Sequence, residues 1–266
     1  MDRDRLRRIR NFQSTDWYAA LIVRPITILV MLVIADWKFL TPNLLTTIAN
    51  LFKLAAAGFI SFLALDDTAA TIWAVVFLQL GVLFDHLDGT MARYRRAFTR
   101  FGSFYDKVSD IVTWFLITIA VGWAAYRQTG GAHYIVLAVS SSVALDVMGY
   151  MKWLTVAESE RLRWFEARAD PAAAVARRTA PIQIAPPPDR TRRDWVMWFL
   201  KMVPQMFRFE EMDLFLWVGV GLLVGRLDWL VWLLFASQVT VMLSMIVRRS
   251  REMLRADRQL RALGDQ

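Results

Sequence analysis

Residues 70–126 read ATIWAVVFLQLGVLFDHLDGTMARYRRAFTRFGSFYDKVSDIVTWFLITIAVGWAAY, and the placement of charge in this stretch decides the fold. No charge interrupts residues 70–84. The stretch then enters Asp85-His86-Leu87-Asp88-Gly89-Thr90-Met91-Ala92-Arg93, crosses a basic connection with Arg95, Arg96 and Arg100, and returns through Gly102, Asp106 and Asp110 to a second uncharged run at 111–126. Each arm has the length and polarity of a helix that crosses a bilayer, whose hydrocarbon core takes about 20 apolar residues. The spacing predicts consecutive antiparallel spans at 70–93 and 103–126. Side chains three or four apart share one helical face. Asp85 and Asp88 are three apart, and Asp106 and Asp110 are four apart. Four carboxylates are therefore expected at the same end of one helix pair.

Working outward, the same apolar pattern recurs along a chain of 266 residues. It is 56% hydrophobic, with 12 Trp and 17 Phe, and has a mean hydropathy of +0.35. Soluble domains are about 45–50% apolar, so the excess needs a location. Further spans are predicted at 43–65, 132–155, 212–226 and 228–247, six in all. The fifth is short and starts among Glu210, Glu211 and Asp213. The fold class is therefore all-α: a polytopic, multi-pass integral membrane protein. The apolar run Ile26–Ala35, flanked by Arg24, Asp36 and Lys38, is too short to span. It reads as an N-terminal amphipathic helix lying in the interface. Pro42 suits a first helical turn, because its missing N–H would be unpaired there anyway.

Charge gives the orientation. With six spans starting inside, all 32 Lys and Arg except Arg127, Arg226 and the intramembrane Lys53 lie in or beside the cytoplasm. This is a strong positive-inside asymmetry. Both termini and the aspartates are placed on the cytoplasmic side of what we expect to be a bacterial inner membrane. The net charge of +8 is assigned to anionic lipid headgroups rather than to nucleic acid. The absence of cysteine excludes disulfides and thiolate-ligated metals. The basic N-terminal segment shows no small-residue cleavage site for a signal peptide. The expected organisation is an interfacial segment 1–40, spans one to four with the site at 41–155, a cytoplasmic Pro/Arg-rich loop and interfacial helix at 156–211, spans five and six at 212–248, and a basic tail at 249–266. Within the loop, 169–194 reads as a flexible linker and Trp195–Pro204 as the interfacial helix.

A single aspartate at a helix end is ordinarily a solvated charge. Four of them, with Gly89, Gly102 and Arg93 at these spacings, are not. Their mutual repulsion near a membrane core calls for bound cations. Hard carboxylate oxygens suit Mg²⁺ or Mn²⁺, and two such ions form a known clamp for phosphoryl displacement. The glycines allow close approach of a ligand, and Arg93 suits a phosphate.

These residues carry a resemblance. Asp85 to Asp110 fits D-x2-D-G-x2-A-R-x8-G-x3-D-x3-D at every fixed position, eight positions in 26 residues. In this the chain resembles the CDP-alcohol phosphotransferase family, also called CDP-alcohol phosphatidyltransferases. The resemblance extends to Arg24-Pro25, to Thr41-Pro42-Asn43 with Thr46, and to the six-span layout, and leaves out 156–211. It implies a homodimeric six-helix enzyme of phospholipid biosynthesis with two metal ions. By motif position, Asp85, Asp88 and Asp106 would be metal ligands. Asp110 would join the metal site and act as general base. Asp88, Gly89, Ala92, Arg93 and Gly102 would line the CDP pocket, with Asn43 and Thr46 holding the nucleotide or its phosphates. The implied reaction moves a substituted phosphate group from a CDP-linked donor to an alcohol and releases CMP. A membrane-embedded site favours CDP-diacylglycerol, with a non-lipid CDP-alcohol as the alternative. The acceptor is not specified by the motif. Lys107, Arg93, Arg95 and Arg96 suit a phosphorylated polyol.

Other polar residues have two readings. Lys107 meets an acceptor or snorkels at a helix end. Asp146, inside the fourth span behind Ser140, Ser141 and Ser142, binds acceptor or makes an interhelical contact. Lys53 serves the site or pairs with a buried carboxylate, while His86 reads as a packed side chain. Glu210, Glu211 and Asp213 read as a negatively charged helix start. Three rival functions are weaker. A prenyltransferase would need a second aspartate motif on a distant helix. A transporter would show inverted repeats or broken helices, and a non-catalytic scaffold would not need four intact aspartates.

Overall fold

The computed structural model describes residues 3–10, 17–63, 67–169, 191–206, 209 and 211–264, which form helices and contain no strand. In chain order these are α1 (Arg3–Arg10), a π-helical turn at Ala19–Val23, α2 (Arg24–Ile34), α3 (Pro42–Phe62), α4 (Thr68–Arg95), α5 (Arg100–Thr129), α6 (His133–Ala169), α7 (Arg192–Met206), α8 (Glu211–Val224) and α9 (Leu227–Gly264).

Local chemistry sets the helix boundaries around the aspartates. Thr41 caps α3 in an extended conformation. Its Oγ1 accepts from Leu44 N at 3.2 Å, and Pro42 takes the first helical position. Asp67 caps α4, accepting from Ala69 N at 2.8 Å. Thr99 caps α5, accepting from Gly102 N at 2.9 Å. Helix α4 stops at Arg96, which sits in the left-handed region (φ 55°, ψ 36°), and Ala97 N closes the end on Ala92 O at 2.9 Å. Gly130, with φ 76°, makes the turn from α5 to α6.

Five helices are long and apolar enough to cross a membrane, in the regions Pro42–Phe62, Thr68–Arg95, Arg100–Thr129, His133–Phe165 and Leu227–Gln259. In their most apolar windows less than half of the residues are buried in the protein. Their outer faces nevertheless carry Leu51, Phe62, Trp73, Val136 and Trp229, all half-exposed or more. A surface of this kind suits lipid rather than water. The predicted span at 212–226 corresponds to α8, which has only 14 residues.

The chain forms two compact units. The first comprises Met1–Ser142 with Met202–Gln238, the second Val143–Lys201 with Val239–Gln266. In the first unit α3 lies along both α4 and α5, and α4 also packs against α8. One apolar cluster joins Ala56, Ile60, Leu78, Val121, Phe215 and Val218. A second, around Met31, Leu45, Leu87 and Met91, seats α2 against the aspartate end of α4. Polar ties reinforce this seat. The Arg95 guanidinium donates to the carbonyls of Ala35, Trp37 and Leu40 at 2.6 to 3.1 Å, and so holds the 35–40 connection. Arg5 pairs with Asp36 at 2.7 Å. Trp17 Nε1 donates to the buried Asp213 at 2.8 Å, and Tyr18 donates to Gln79.

Several expectations change. Residues 156–169 are not loop: α6 runs without a break to Ala169, because Ala, Glu, Arg and Leu favour helix and no Pro intervenes before Pro171. Likewise the 249–266 tail continues α9 as helix to Gly264. The interfacial helix expected at Trp195–Pro204 is α7, which starts at Arg192 and ends two residues beyond Pro204. Most of the 169–194 linker lies outside the described residues. Arg95 is occupied by backbone carbonyls and does not present a free guanidinium for an acceptor. Asp213 does more than favour a helix start, since it is buried and ties the N-terminal segment to α8.

The left-handed Arg96 makes a checkable cost. A Cβ in this region costs about 1 kcal/mol, so Arg96→Gly should stabilise the protein by about that amount. Thermal unfolding in detergent should show a midpoint roughly 2–4 °C higher.

Candidate active site

Three helices supply the site. Helix α4 contributes Asp85 and Asp88, α5 contributes Asp106 and Asp110, and α3 runs between them with Thr46 and Lys53. One carboxylate oxygen each from Asp85, Asp88 and Asp106 lies within 4.8 Å of the others. The ligands of a Mg²⁺ ion stand about 2.1 Å from the metal, so opposite oxygens are about 4.2 Å apart. The three carboxylates therefore fit a hard divalent cation with small side-chain adjustments.

Asp110 lies outside this group of three but is linked to it. Its Oδ1 accepts from Lys53 Nζ at 3.0 Å, and the same ammonium donates to Asp85 Oδ1 at 3.1 Å. Lys53 is 1% exposed. An ammonium so deeply buried is tolerable only when paired, and here it has two carboxylate partners on two helices. Asp88 is held differently. The Thr46 hydroxyl donates to Asp88 Oδ2 and also lies 3.2 Å from the Pro42 carbonyl, and both residues are buried. Asp106 remains partly open, with Lys107 Nζ at 3.9 Å.

The remaining expected residues fall as follows. Asn43 and Gly102 are neighbours: a Cβ on Gly102 would stand 3.0 Å from Asn43 Oδ1 and 2.9 Å from the capping Thr99 Oγ1. This packing gives Gly102 a local reason besides room for a ligand. The Arg93 guanidinium lies over Gly89, 3.3 Å from where a Cβ would be, and donates to Thr90 Oγ1 at 3.2 Å. The partly buried Ala92 gives its carbonyl to the end of α4. His86 is buried, as its packed reading requires. Lys107 is exposed. Asp146 is partly buried on α6 and belongs to the second unit, whereas the four motif aspartates belong to the first.

Residues 39–203 match the model of the CDP-alcohol phosphatidyltransferase family. The chain belongs to this family. Two curated relatives are both phosphatidylinositol phosphate synthases. That of Corynebacterium glutamicum is 31% identical over 113 residues, covering 42% of this chain and 49% of the relative. That of Mycobacteroides abscessus is 31% identical over 97 residues, covering 36% and 44%. The chain thus spans less than half the length of the curated relatives it matches.

Within this CDP-alcohol phosphatidyltransferase framework, two features were not assigned from sequence. One is the second partner of Lys53: pairing with a buried carboxylate was expected, but not that it would bridge Asp85 and Asp110. The other is Tyr105, whose hydroxyl lies 3.0 Å from Thr47 Oγ1 and joins α5 to α3 beside Asp106. One tyrosine among many aromatic residues gave no signal. The Thr46–Asp88 contact yields a test. Groups that orient a metal-binding carboxylate typically matter 10- to 100-fold in affinity. Thr46→Val should therefore weaken Mn²⁺ binding about tenfold, as read by electron paramagnetic resonance titration of the purified protein.

Proposed function

We propose that this protein transfers a substituted phosphate group from a CDP-linked donor, CDP-diacylglycerol in our reading, to an alcohol acceptor and releases CMP. The observation that carries the proposal is the arrangement of four carboxylates as a cation-binding triad with Asp110 tied to its Asp85 through Lys53. Asp85, Asp88 and Asp106, with Asp110 at the edge, would hold two Mg²⁺ or Mn²⁺ ions. When bound, those ions would neutralise the donor diphosphate and stabilise the departing phosphate. Arg93, Gly89, Ala92, Gly102, Asn43 and Thr46 would bound the CDP pocket beside Asp88. Lys107, exposed next to Asp106, suits an anionic acceptor. We leave Asp146 as a second candidate acceptor contact.

The chain's own chemistry is then a proton transfer with in-line displacement. Asp110 takes the proton from the acceptor hydroxyl. The freed oxygen forms a bond to the phosphorus that bears the donor's alcohol group, and the bond from that phosphorus to the bridging oxygen breaks. CMP leaves with that oxygen. Asp110 later returns its proton to solvent. The names of the two relatives favour a phosphorylated inositol as acceptor, and the exposed Lys107 agrees with a phosphorylated polyol. We place the site and both termini in the cytoplasm, with α8 as a sixth, short span, and expect a homodimer.

Two measurements test this. Purified protein with Mg²⁺ or Mn²⁺, CDP-diacylglycerol and a panel of glycerol 3-phosphate, serine, inositol and inositol phosphate should release CMP with one acceptor. Asp106→Asn should release none, and Asp110→Asn should lose turnover while largely keeping CDP binding. Full activity of Asp110→Asn would remove its role as base. No CMP with lipid or non-lipid CDP-alcohols would overturn the enzyme reading. For sidedness, the natural protein lacks cysteine, so single cysteines report directly. In right-side-out vesicles a membrane-impermeant maleimide should label Ala132→Cys and spare Ala97→Cys, and the reverse pattern would invert the topology.

A further inference from the structure

Among the described residues, one of the largest fully buried side chains is a lysine, and it ends between two of the site's carboxylates. Lys53 enters from α3 and donates to Asp85 Oδ1 on α4 and Asp110 Oδ1 on α5. Its surroundings form a fitted socket. A Cβ on Gly81 would come within 2.8 Å of Lys53 Cγ, so the lysine stem passes through space that only glycine leaves open. Gly81 lies one turn before Asp85 on the same helix. On another side the ring of Phe215, from α8, has its centroid 5.4 Å from Nζ, a favourable distance for a cation over an aromatic face. Four helices therefore enclose one ammonium group.

A bridge that only held helices together would not have to end on site residues. This one does so twice, and it takes one oxygen of each carboxylate. Oδ2 is then the Asp110 oxygen that Lys53 does not occupy. We propose that Lys53 is a positioning residue: it fixes the rotamers of Asp110 and Asp85 so that Asp110 offers its second oxygen to the acceptor hydroxyl. The proposal rests on the function argued above. It has a second consequence. A fixed positive charge beside four negative ones repels a divalent cation, so Lys53 weakens cation binding while it sharpens geometry.

The two effects point in opposite directions, which makes the idea testable. Lys53→Met keeps the stem and removes the charge. It should bind Mn²⁺ more tightly, by about three- to tenfold, as read by electron paramagnetic resonance. Its kcat should fall by about 30-fold or more, with KM for the CDP donor within about threefold. Gly81→Ala keeps every charge but displaces the stem. It should lower kcat while leaving Mn²⁺ affinity within about threefold, and it stands in if Lys53→Met does not fold. Weakened Mn²⁺ binding and weakened catalysis together in Lys53→Met would show a bridge that only supports the fold, and would overturn the proposal. Unchanged kcat in both variants would overturn it too. If the wild type turns over no CDP-alcohol at all, the function itself fails. The Mn²⁺ titration then still decides whether Lys53 opposes cation binding, and unchanged or weaker affinity in Lys53→Met counts against it.

Discussion

The structure is organised around the cost of bringing like charges together in a place with little water. Two carboxylates about 4 Å apart repel by roughly 4 kcal/mol at an effective dielectric near 20. A whole domain is stable by only about 5–15 kcal/mol. Three carboxylates within 4.8 Å and a fourth nearby therefore cannot stand uncompensated. The chain supplies part of the compensation itself, as Lys53 between Asp85 and Asp110 and as the Thr46 hydroxyl on Asp88. The hard oxygens of the triad can accept the rest from divalent cations, in agreement with membership of the CDP-alcohol phosphatidyltransferase family.

That constraint explains why α3 is central. Helices α4 and α5 carry the carboxylates, but both pack along α3. This helix delivers the hydroxyl and the ammonium at two levels, Thr46 near its capped start and Lys53 two turns further on. The cap of Thr41 and the first-turn Pro42 fix where α3 begins, and hence the height at which Thr46 meets Asp88. The cap of Thr99 does the same for Asp106 and Asp110 on α5. Arg95 closes this arrangement from outside by gripping three carbonyls of the connection that leads into α3.

Much of this was legible in the sequence. Uninterrupted apolar runs of bilayer length announced the all-helical, membrane-embedded class, and the extent of those runs placed α3, α4 and α5 to within three residues at each boundary. Helical spacing paired the aspartates, and their motif pointed to the family. The reading failed where apolarity stopped being the signal. The polar ends of α6 and α9 are helical because their residues favour helix, although nothing apolar marks them. Arg95 read as a site cation, but a guanidinium next to a tight turn has backbone carbonyls within reach and binds those first.

The sequence by itself determined which residue types meet the chemistry: four aspartates at intervals of three and four, two glycines and an arginine on consecutive helices. Those facts follow from helical periodicity, which is local. Only the tertiary structure decided how the four carboxylates divide. Asp85, Asp88 and Asp106 converge, while Asp110 lies outside that group and is joined to Asp85 through a lysine 57 residues away in sequence. No local rule could reveal that division. It depends on which helix inserts beside α4 and α5, and on the open space at Gly81 that admits the lysine stem.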